Sequence, residues 1–501
     1  MPSLVTRNFR LYNAQQFIEQ FSEADPSRLY FFISRPAAWP DDANAPTPTD
    51  NVKDVSFVAW DSMLGLKKVT AADVSLAAAR VNWTSGTVYA QYRYDAVFND
   101  QNFYVITADY NVYKCLYNNG GATSTVEPTG TLATNIITAD GYVWKYLFTV
   151  QAADALKFLT VNYMPVKILT SDDGSAQWDV QAAAANGSIH YTHVTAGGSS
   201  YLQNTGTAIS GNTTGIKLAA TANTTSNIYN TSAVYISSGT GSGQLRTIVD
   251  YDGSTQFATV SPVFTTAPDN TSVYRVSPRI SFTGDGSNAS AYSTITGSAV
   301  SKITMINAGV NYGYANVAII ANTGTGAVAT AQIAPPGGHG NNAIEELYAH
   351  NVILNIKLEG NESGKFTVEN DFRVMGLVAD PIVLGTGLAA NSSVYTQTTN
   401  LALTSITGTF SKDEIVTGGT SGAKGVVVEF SSPNVKVTST IGNFSTSETL
   451  TGATSAATGT INTITLPELK KYTGTVIYIE NRSPIIRASD QTEDVKIVLK
   501  F

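Results

Sequence analysis

The four histidines and the adjacent carboxylates Asp172-Asp173 and Glu345-Glu346 are the residues of this chain singled out for chemistry. His190 and His193 have the spacing of a metal-binding pair. In a strand, however, positions i and i+3 point to opposite faces, so no shared ion is expected there. His339 sits inside GGHG, where the glycines let the backbone come close to a neighbour, and it is predicted to pack within a loop. A glycosidase needs two carboxyl groups flanking a sugar bond, and neighbours in sequence such as Asp172-Asp173 and Glu345-Glu346 do not supply that geometry. They are expected to be turn and helix-surface charges. The chain has no GxxxxGK[ST], no GxSxG and no HExxH, and the Gly-x-Gly at Gly284 or Gly324 is too short for a dinucleotide fingerprint. Catalytic, cofactor-binding and metal-ligating residues are therefore all expected to be none, and the chain is read as not an enzyme. The single cysteine, Cys115, rules out an intrachain disulfide framework and is expected to be a small buried hydrophobe.

The elements around these residues follow from composition. Of 501 residues only 14% are charged, 43% are apolar and 10% aromatic, with Tyr, Thr, Ser, Gly, Asn and Ala abundant. That mixture favours strands joined by tight turns. The predicted fold is mainly β, a multi-domain β-sandwich framework with inserted Gly/Ser/Thr-rich β-repeat modules and a few short helices. A net charge of −8 with no Lys/Arg cluster makes nucleic acid a poor partner. No run of about 18 apolar residues and no leader-like core occur, so the expectation is no membrane insertion and assembly in the host cytoplasm.

Along the chain, Ala14, Phe17, Ile18 and Phe21 fall on one helical face of Asn8 to Ser22, and Asp25-Pro26 should end that helix. Leu29 to Ile33 reads as a buried strand, and the Pro/Asp/Asn-rich stretch from Trp39 to Asn51 as a surface loop. All five tryptophans, Trp39, Trp60, Trp83, Trp144 and Trp178, precede residue 181. Residues 181 to 335 hold no Trp and only nine charged residues. The expected division is 1–180, an aromatic-rich β framework; 181–335, an inserted β-repeat module; 336–395, a helix-containing connection in which Ile344, Leu347 and Leu354 line a helix; 396–466, a second β-repeat insertion; and 467–501, strands returning to the framework. Val495, Ile497, Leu499 and Phe501 alternate with Lys496, Val498 and Lys500, the period of a closing strand.

Internal repeats support the inserted modules. TGDGSNASA from Thr283 recurs as TGTGAVATA from Thr323, aligning Gly284 with Gly324, Gly286 with Gly326, Ala289 with Ala329 and Ala291 with Ala331. VTAGGSSY from Val194 echoes INAGVNY from Ile306. GTFSKDEIVTGGTSGAKGVV from Gly408 recurs 34 residues later as GNFSTSETLTGATSAATGTI from Gly442, aligning Phe410 with Phe444, Glu414 with Glu448, Gly418 with Gly452, Ser421 with Ser455 and Gly425 with Gly459. A unit this short cannot bury its apolar face alone and must pair with its copy. The glycines are expected at positive-φ turn positions.

IYIENRSPIIRASDQTEDVKIVLKF, from Ile477 to Phe501, closely resembles the end of the baseplate wedge protein of T-even-type contractile-tailed phages, the gene product eight family. DGYVWKYLF from Asp140 resembles it too, as more weakly do VYKCL from Val112, VTRNFR, FFISRPAAW and MLGLKKV. GGHGNNAIEELYAH and NDFRVMGLV look like segments of longer versions, such as those of cyanophages. The signature framework residues that the resemblance picks out are Gly141, Tyr142, Trp144, Tyr146, Phe148, Tyr478, Glu480, Asn481, Arg482, Pro484, Asp490 and Gln491. It implies a β-rich homodimer in the tail baseplate of the virion, in contact with other wedge subunits and without cofactors. A receptor- or glycan-binding tail protein, touching the host surface through the insert, is the alternative.

Overall fold

The computed structural model describes residues 4–23, 27–35, 37–51, 54–95 and 102–501. The Asp25-Pro26 helix break lies outside the described residues. The fold is mainly β, with several sheets, a closed barrel and a few short helices. The chain forms two compact units, one of residues 1–77 with 350–501 and one of residues 78–349.

In the first unit, Thr6 caps the helix Arg7–Glu19 by accepting from the Phe9 amide, and a 3-10 turn, Gln20–Ser22, follows. Leu11 and Ala14 are buried, and the Phe17 ring lies 5.7 Å from that of Phe501. The strand Leu29–Ser34 is buried at every position, as its unbroken apolar run requires. It is the middle of a five-stranded antiparallel sheet ordered Val394–Thr396, Met63–Lys68, Leu29–Ser34, Asn370–Ala379 and Thr475–Arg487. The closing strand Thr492–Lys500 pairs with Asn351–Glu359, which pairs in turn with Val74–Ala79. Leu354 lies on the second of these strands, opposite Ile497, and not on the helix expected from Ile344, Leu347 and Leu354. That helix is one turn, Ala343–Glu346, because Tyr348 takes φ +55° and the residues from Asn351 onward, rich in Val, Ile and Leu, form a strand that pairs on both sides.

The 34-residue repeat builds a six-stranded barrel closed in the order Thr399–Thr407, Asn434–Ile441, Lys424–Ser431, Ile415–Gly418, Thr449–Gly452 and Thr458–Thr465. Its core contains Leu401, Val416, Val427, Val437, Leu450 and Ile461. The short strands of the two copies pair with each other, Val416 with Gly452 and Gly418 with Leu450. Closure removes the free edges that a lone copy would expose.

Three sheets lie wholly within the described residues of the second unit. Tyr104–Ile106, Asn111–Tyr117, Val143–Thr149 and Ile136–Ile137 form the first, carrying VYKCL and DGYVWKYLF on adjacent strands. The second has six strands, Ala299–Val310, Ser287–Thr296, Arg279–Gly284, Ala315–Ile320, Thr325–Ile333 and Ile189–Ser199. The third has seven, Asn204–Thr207, Val273–Ser277, Ala233–Ser238, Leu245–Asp252, Phe257–Ser261, Gly215–Lys217 and Ser210–Asn212, over a core that includes Ile216, Val234, Ile248, Tyr251 and Tyr274. Among the described residues no helix is long and apolar enough to cross a membrane.

The six-stranded sheet revises the register of the first repeat. Gly286, not Gly284, is equivalent to Gly324: a Cβ at either would strike a tyrosine ring at 2.4 Å, that of Tyr312 and of Tyr201 respectively. The matching left-handed residues are Asn288 (φ +65°) and Gly326 (φ +82°), and matching bulges follow Ser290 and Val328. The true displacement is two residues shorter than the alignment of Gly284 with Gly324. Side chains alternate with period two, so a two-residue slip keeps every residue on its face and leaves the sequence pattern almost unchanged.

Candidate functional site

VYKCL and VWKYLF each place one lysine inside an apolar strand, and the strand register sets Lys114 directly opposite Lys145. Burying two cations side by side demands a counter-charge. Glu346 supplies it. Lys114 Nζ donates to Glu346 Oε2 at 2.8 Å and to His339 Nδ1 at 3.0 Å, and lies 3.7 Å from the centroid of the Tyr92 ring. The second Glu346 oxygen accepts from the Gly340 amide at 2.5 Å. Lys145 donates to the Ala133 carbonyl, and the His190 ring packs edge-on to that of His339 at 5.4 Å.

Burial, with Lys114 and Lys145 nearby, pushes His190 down to about 4. His339 is lowered well below 6.5, first by burial and then by Lys114, His190 and Lys145. Burial also takes Lys145 down to about 8, against the pull of Glu346 and with the push of Lys114. Neutral imidazoles and a hydrogen-bonded Lys114–Glu346 pair therefore fill the cluster at neutral pH. The side chains of Lys114, His339 and Glu346 are 0–2% exposed, so a dissolved substrate does not reach them without opening the unit.

The sequence-derived expectation for Glu346, a helix-surface charge, is thus overturned. The helix is a single turn, and Glu346 points inward to Lys114, whereas Glu345 is exposed as expected. The signal for the cluster was the lone lysine within each apolar strand. Asp172 and Asp173 are exposed turn acids, accepting from the Gly174 and Ser175 amides. His193 packs on Tyr117 at 5.3 Å between ring centroids and does not join His190. Among the described residues, no group of three or more His, Cys, Asp or Glu side chains is placed to hold a metal ion. Cys115 is buried, and burial holds its thiol well above the usual range.

The signature residues fall into two groups. In residues 78–349, Gly141 turns the chain at φ +85°, and the Tyr142 ring stacks on Trp144 at 5.4 Å while its hydroxyl donates to the Ala122 carbonyl. Tyr146 bonds Thr149 through its hydroxyl at 2.7 Å, and Phe148 is buried. Asp140, which opens the motif, accepts from the Thr125 and Val126 amides at 2.8 and 3.0 Å. In the other unit, Tyr478 donates to Glu480 at 2.6 Å, and Glu480 pairs with Arg482 at 2.8 Å. Asn481 donates to the Pro46 carbonyl, and the Arg482 carbonyl accepts from Trp39 Nε1. These contacts tie the 39–48 loop to the strand. Pro484 is half-buried in that strand, Asp490 is exposed, and Gln491 closes the turn between the last two strands by accepting from the Ala488 and Gly360 amides.

Sequence reasoning missed Arg487 in this stretch. It is fully buried, donates to Glu493 at 3.1 Å and to the Thr367 and Gly360 carbonyls, and lies over the Phe366 ring. An arginine ending the apolar PII run, with a glutamate six residues on, was its only mark.

The barrel holds two further hidden carboxylates, each accepting four hydrogen bonds. Glu414 takes the amides of Ser411, Thr454 and Ser455 and the Ser455 hydroxyl, and Glu448 takes those of Ser445, Thr420 and Ser421 and the Ser421 hydroxyl. The carboxylate of each copy thus fastens the turn of the other. Burial raises both carboxyls, but the amide and hydroxyl donors outweigh it and leave each below its ordinary value. Gly418 and Gly452 do not take positive φ as expected. They are glycine because a Cβ would lie 2.5 Å from Glu448 Oε1 and 2.7 Å from Glu414 Oε1 respectively.

The buried charged groups described in both units are thus spent on internal partners. No curated protein matches the sequence. The family model for Phage-Gp8, described as "Bacteriophage T4, Gp8", matches residues 438–501, so the second half of one barrel strand, the two barrel strands that follow it and both closing strands are similar in sequence to a phage baseplate structural family.

Proposed function

We propose that the whole chain is a structural subunit of the phage tail baseplate wedge, acting by protein–protein contacts during baseplate assembly. The observation that carries this reading is the family match over 438–501, a segment that is integral to the barrel and to two sheets of its unit. The internal use of the buried charges supports it, since such groups fix shape and leave the surface to provide function. Large exposed apolar side chains, among them Leu4, Phe9, Tyr12, Ile441 and Ile486, fit a protein made for permanent contacts. The reading places the chain in the virion, with itself as a homodimer and other wedge subunits as partners, and gives it no catalytic step or cofactor.

Removing the chain from an infection should halt tail assembly before a complete baseplate forms, and supplying it in trans should restore tails. Complete baseplates assembled without it would contradict the reading. Sedimentation at micromolar concentration should give about twice the 53.0 kDa protomer mass. A trimer held by residues 181–335, together with binding of host polysaccharide, would favour the adhesion role instead.

A further inference from the structure

The unit formed by residues 1–77 and 350–501 carries a continuous apolar surface with two lysines at one end. A hollow of about 390 Å³ opens between the barrel and the segment that leaves it, with Leu384, Phe444, Ile464, Leu466 and Tyr472 in its wall. A second hollow, of about 280 Å³, shares Thr440 with the first and brings in Ile441 and Val58; a third, of about 190 Å³, shares Val58 with the second. Side chains that a soluble monomer would cover stand out along this surface: Ile441 is 73% exposed and Leu466 57%. The Phe57 and Tyr472 rings stack on each other at 4.3 Å, and both remain partly open to solvent.

The one carboxylate among the hollow-lining residues is Asp61, in the second hollow, where it accepts from the Tyr472 hydroxyl and faces Lys471. The 390 Å³ hollow has Lys470 and Lys471 in its wall and no carboxylate. Lys471 has Asp61 at 3.7 Å, while exposed Lys470 has no ion-pair partner among the described residues. This is a cationic, apolar site on a chain of net charge −8. Most of the wall of that hollow, from Thr440 to Tyr472, lies in the segment that matches the baseplate family.

We propose that this surface docks an extended segment of a different tail subunit, one that presents apolar side chains to the hollows and a carboxylate to Lys470. The inference rests on the baseplate reading above and adds the chemistry of the partner. A second copy of the chain is the poorer occupant, because a two-fold contact uses the same patch on both sides, and the one carboxylate lining the hollows, Asp61, is already engaged by Tyr472 and Lys471 and leaves nothing for Lys470. An acidic segment meets the opposite charge while covering the apolar wall.

The test places photoreactive benzoylphenylalanine at Leu466 of the full chain, lets that chain assemble into tails during infection, irradiates the purified tails and sequences the crosslinked peptide. The expected product joins Leu466 to another tail protein at a stretch with an Asp or Glu within a few residues. A crosslink to a second copy, a partner stretch without carboxylates, or no crosslink in tails that contain the labelled chain would overturn the proposal. Independently, Lys470→Glu should enter tails about tenfold less well than the wild type in direct competition, while Lys302→Glu, an exposed reversal in the other unit, should compete evenly. Even competition by Lys470→Glu would also overturn it. If the unmodified chain is itself absent from tails, the baseplate reading fails, and this inference fails with it.

Discussion

Glu346 in the 78–349 unit and Glu414 and Glu448 in the barrel are almost equally hidden, at 5%, 4% and 3% exposure, yet they are held by different means. Glu346 answers a cation: Lys114 lies against it, and two imidazoles and a second lysine crowd the pair. The barrel carboxylates have four amide and hydroxyl donors each, and the ammonium's role is taken by backbone dipoles. The first arrangement fails when one member is lost, because an uncompensated charge is left in the interior. The second spreads its hold over a turn of the opposite repeat. It welds two copies of one motif into a closed barrel.

The largest expected effect breaks the first arrangement. Glu346→Gln should cost about 3–5 kcal/mol in the unfolding transition of residues 78–349, because Lys114 stays buried without its counter-ion. Pairing Lys114→Met with Glu346→Leu should recover most of that loss. Hydrogen exchange on residues 78–349 would follow both, and a cost below about 1 kcal/mol for the single change would contradict the role given to the pair.

Glu414→Ala and Glu448→Ala should each cost roughly 2–3 kcal/mol, since each strands several buried donors. The two values should agree closely, because the hydrogen-bond sets are copies. Markedly unequal losses in urea titrations would mean that the repeats are not energetic equivalents.

This symmetry was half legible in the sequence. The 34-residue displacement already aligned Glu414 with Glu448 and Ser421 with Ser455, but nothing local said that each glutamate serves the other copy's turn, since that partnership exists only after the barrel closes. Leu29–Ser34 and the closing strand were readable because burial on both faces and period-two alternation are properties of the chain itself. The Lys114 cluster was not read, although its two lysines were in plain sight, because their anion lies more than 200 residues away on a one-turn helix too short to have a face of its own. The family signature in 477–501 named surface and turn residues and passed over Arg487, whose partners Thr367 and Gly360 come from a separate stretch of chain.

Acid should separate the two arrangements. His190 titrates near 4 in the folded unit and near 6.5 when unfolded, so the unfolded chain binds more protons between those values, and stability falls as pH drops through that window. Glu414 and Glu448, lowered from 4.5, keep their contribution above 4.5 and lose it as pH falls through their lower folded values. As pH falls from 6.5 to 4.5, amide protection relative to the intrinsic exchange rate should therefore drop in residues 78–349 and hold steady in the barrel, and His190→Phe should flatten the response. In the alkaline direction, Lys145 at about 8 against 10.5 unfolded makes that unit gain stability as pH rises through this window. Equal acid sensitivity of the two units would refute the comparison.

The smallest effect concerns the tyrosine-backed glycines. Gly286→Ala and Gly324→Ala both push a Cβ into a tyrosine ring, but only Gly324 also has positive φ, +86°. Gly324→Ala should be the costlier by about 1 kcal/mol in thermal unfolding.

A reconstruction of the intact tail tests the central claim most directly. The account predicts density for this chain, with its barrel and its seven-stranded sheet, in the wedges of the baseplate and in contact with other subunits. Density for the same chain in a fibre distal to the baseplate, or a complete baseplate without it, would contradict the claim.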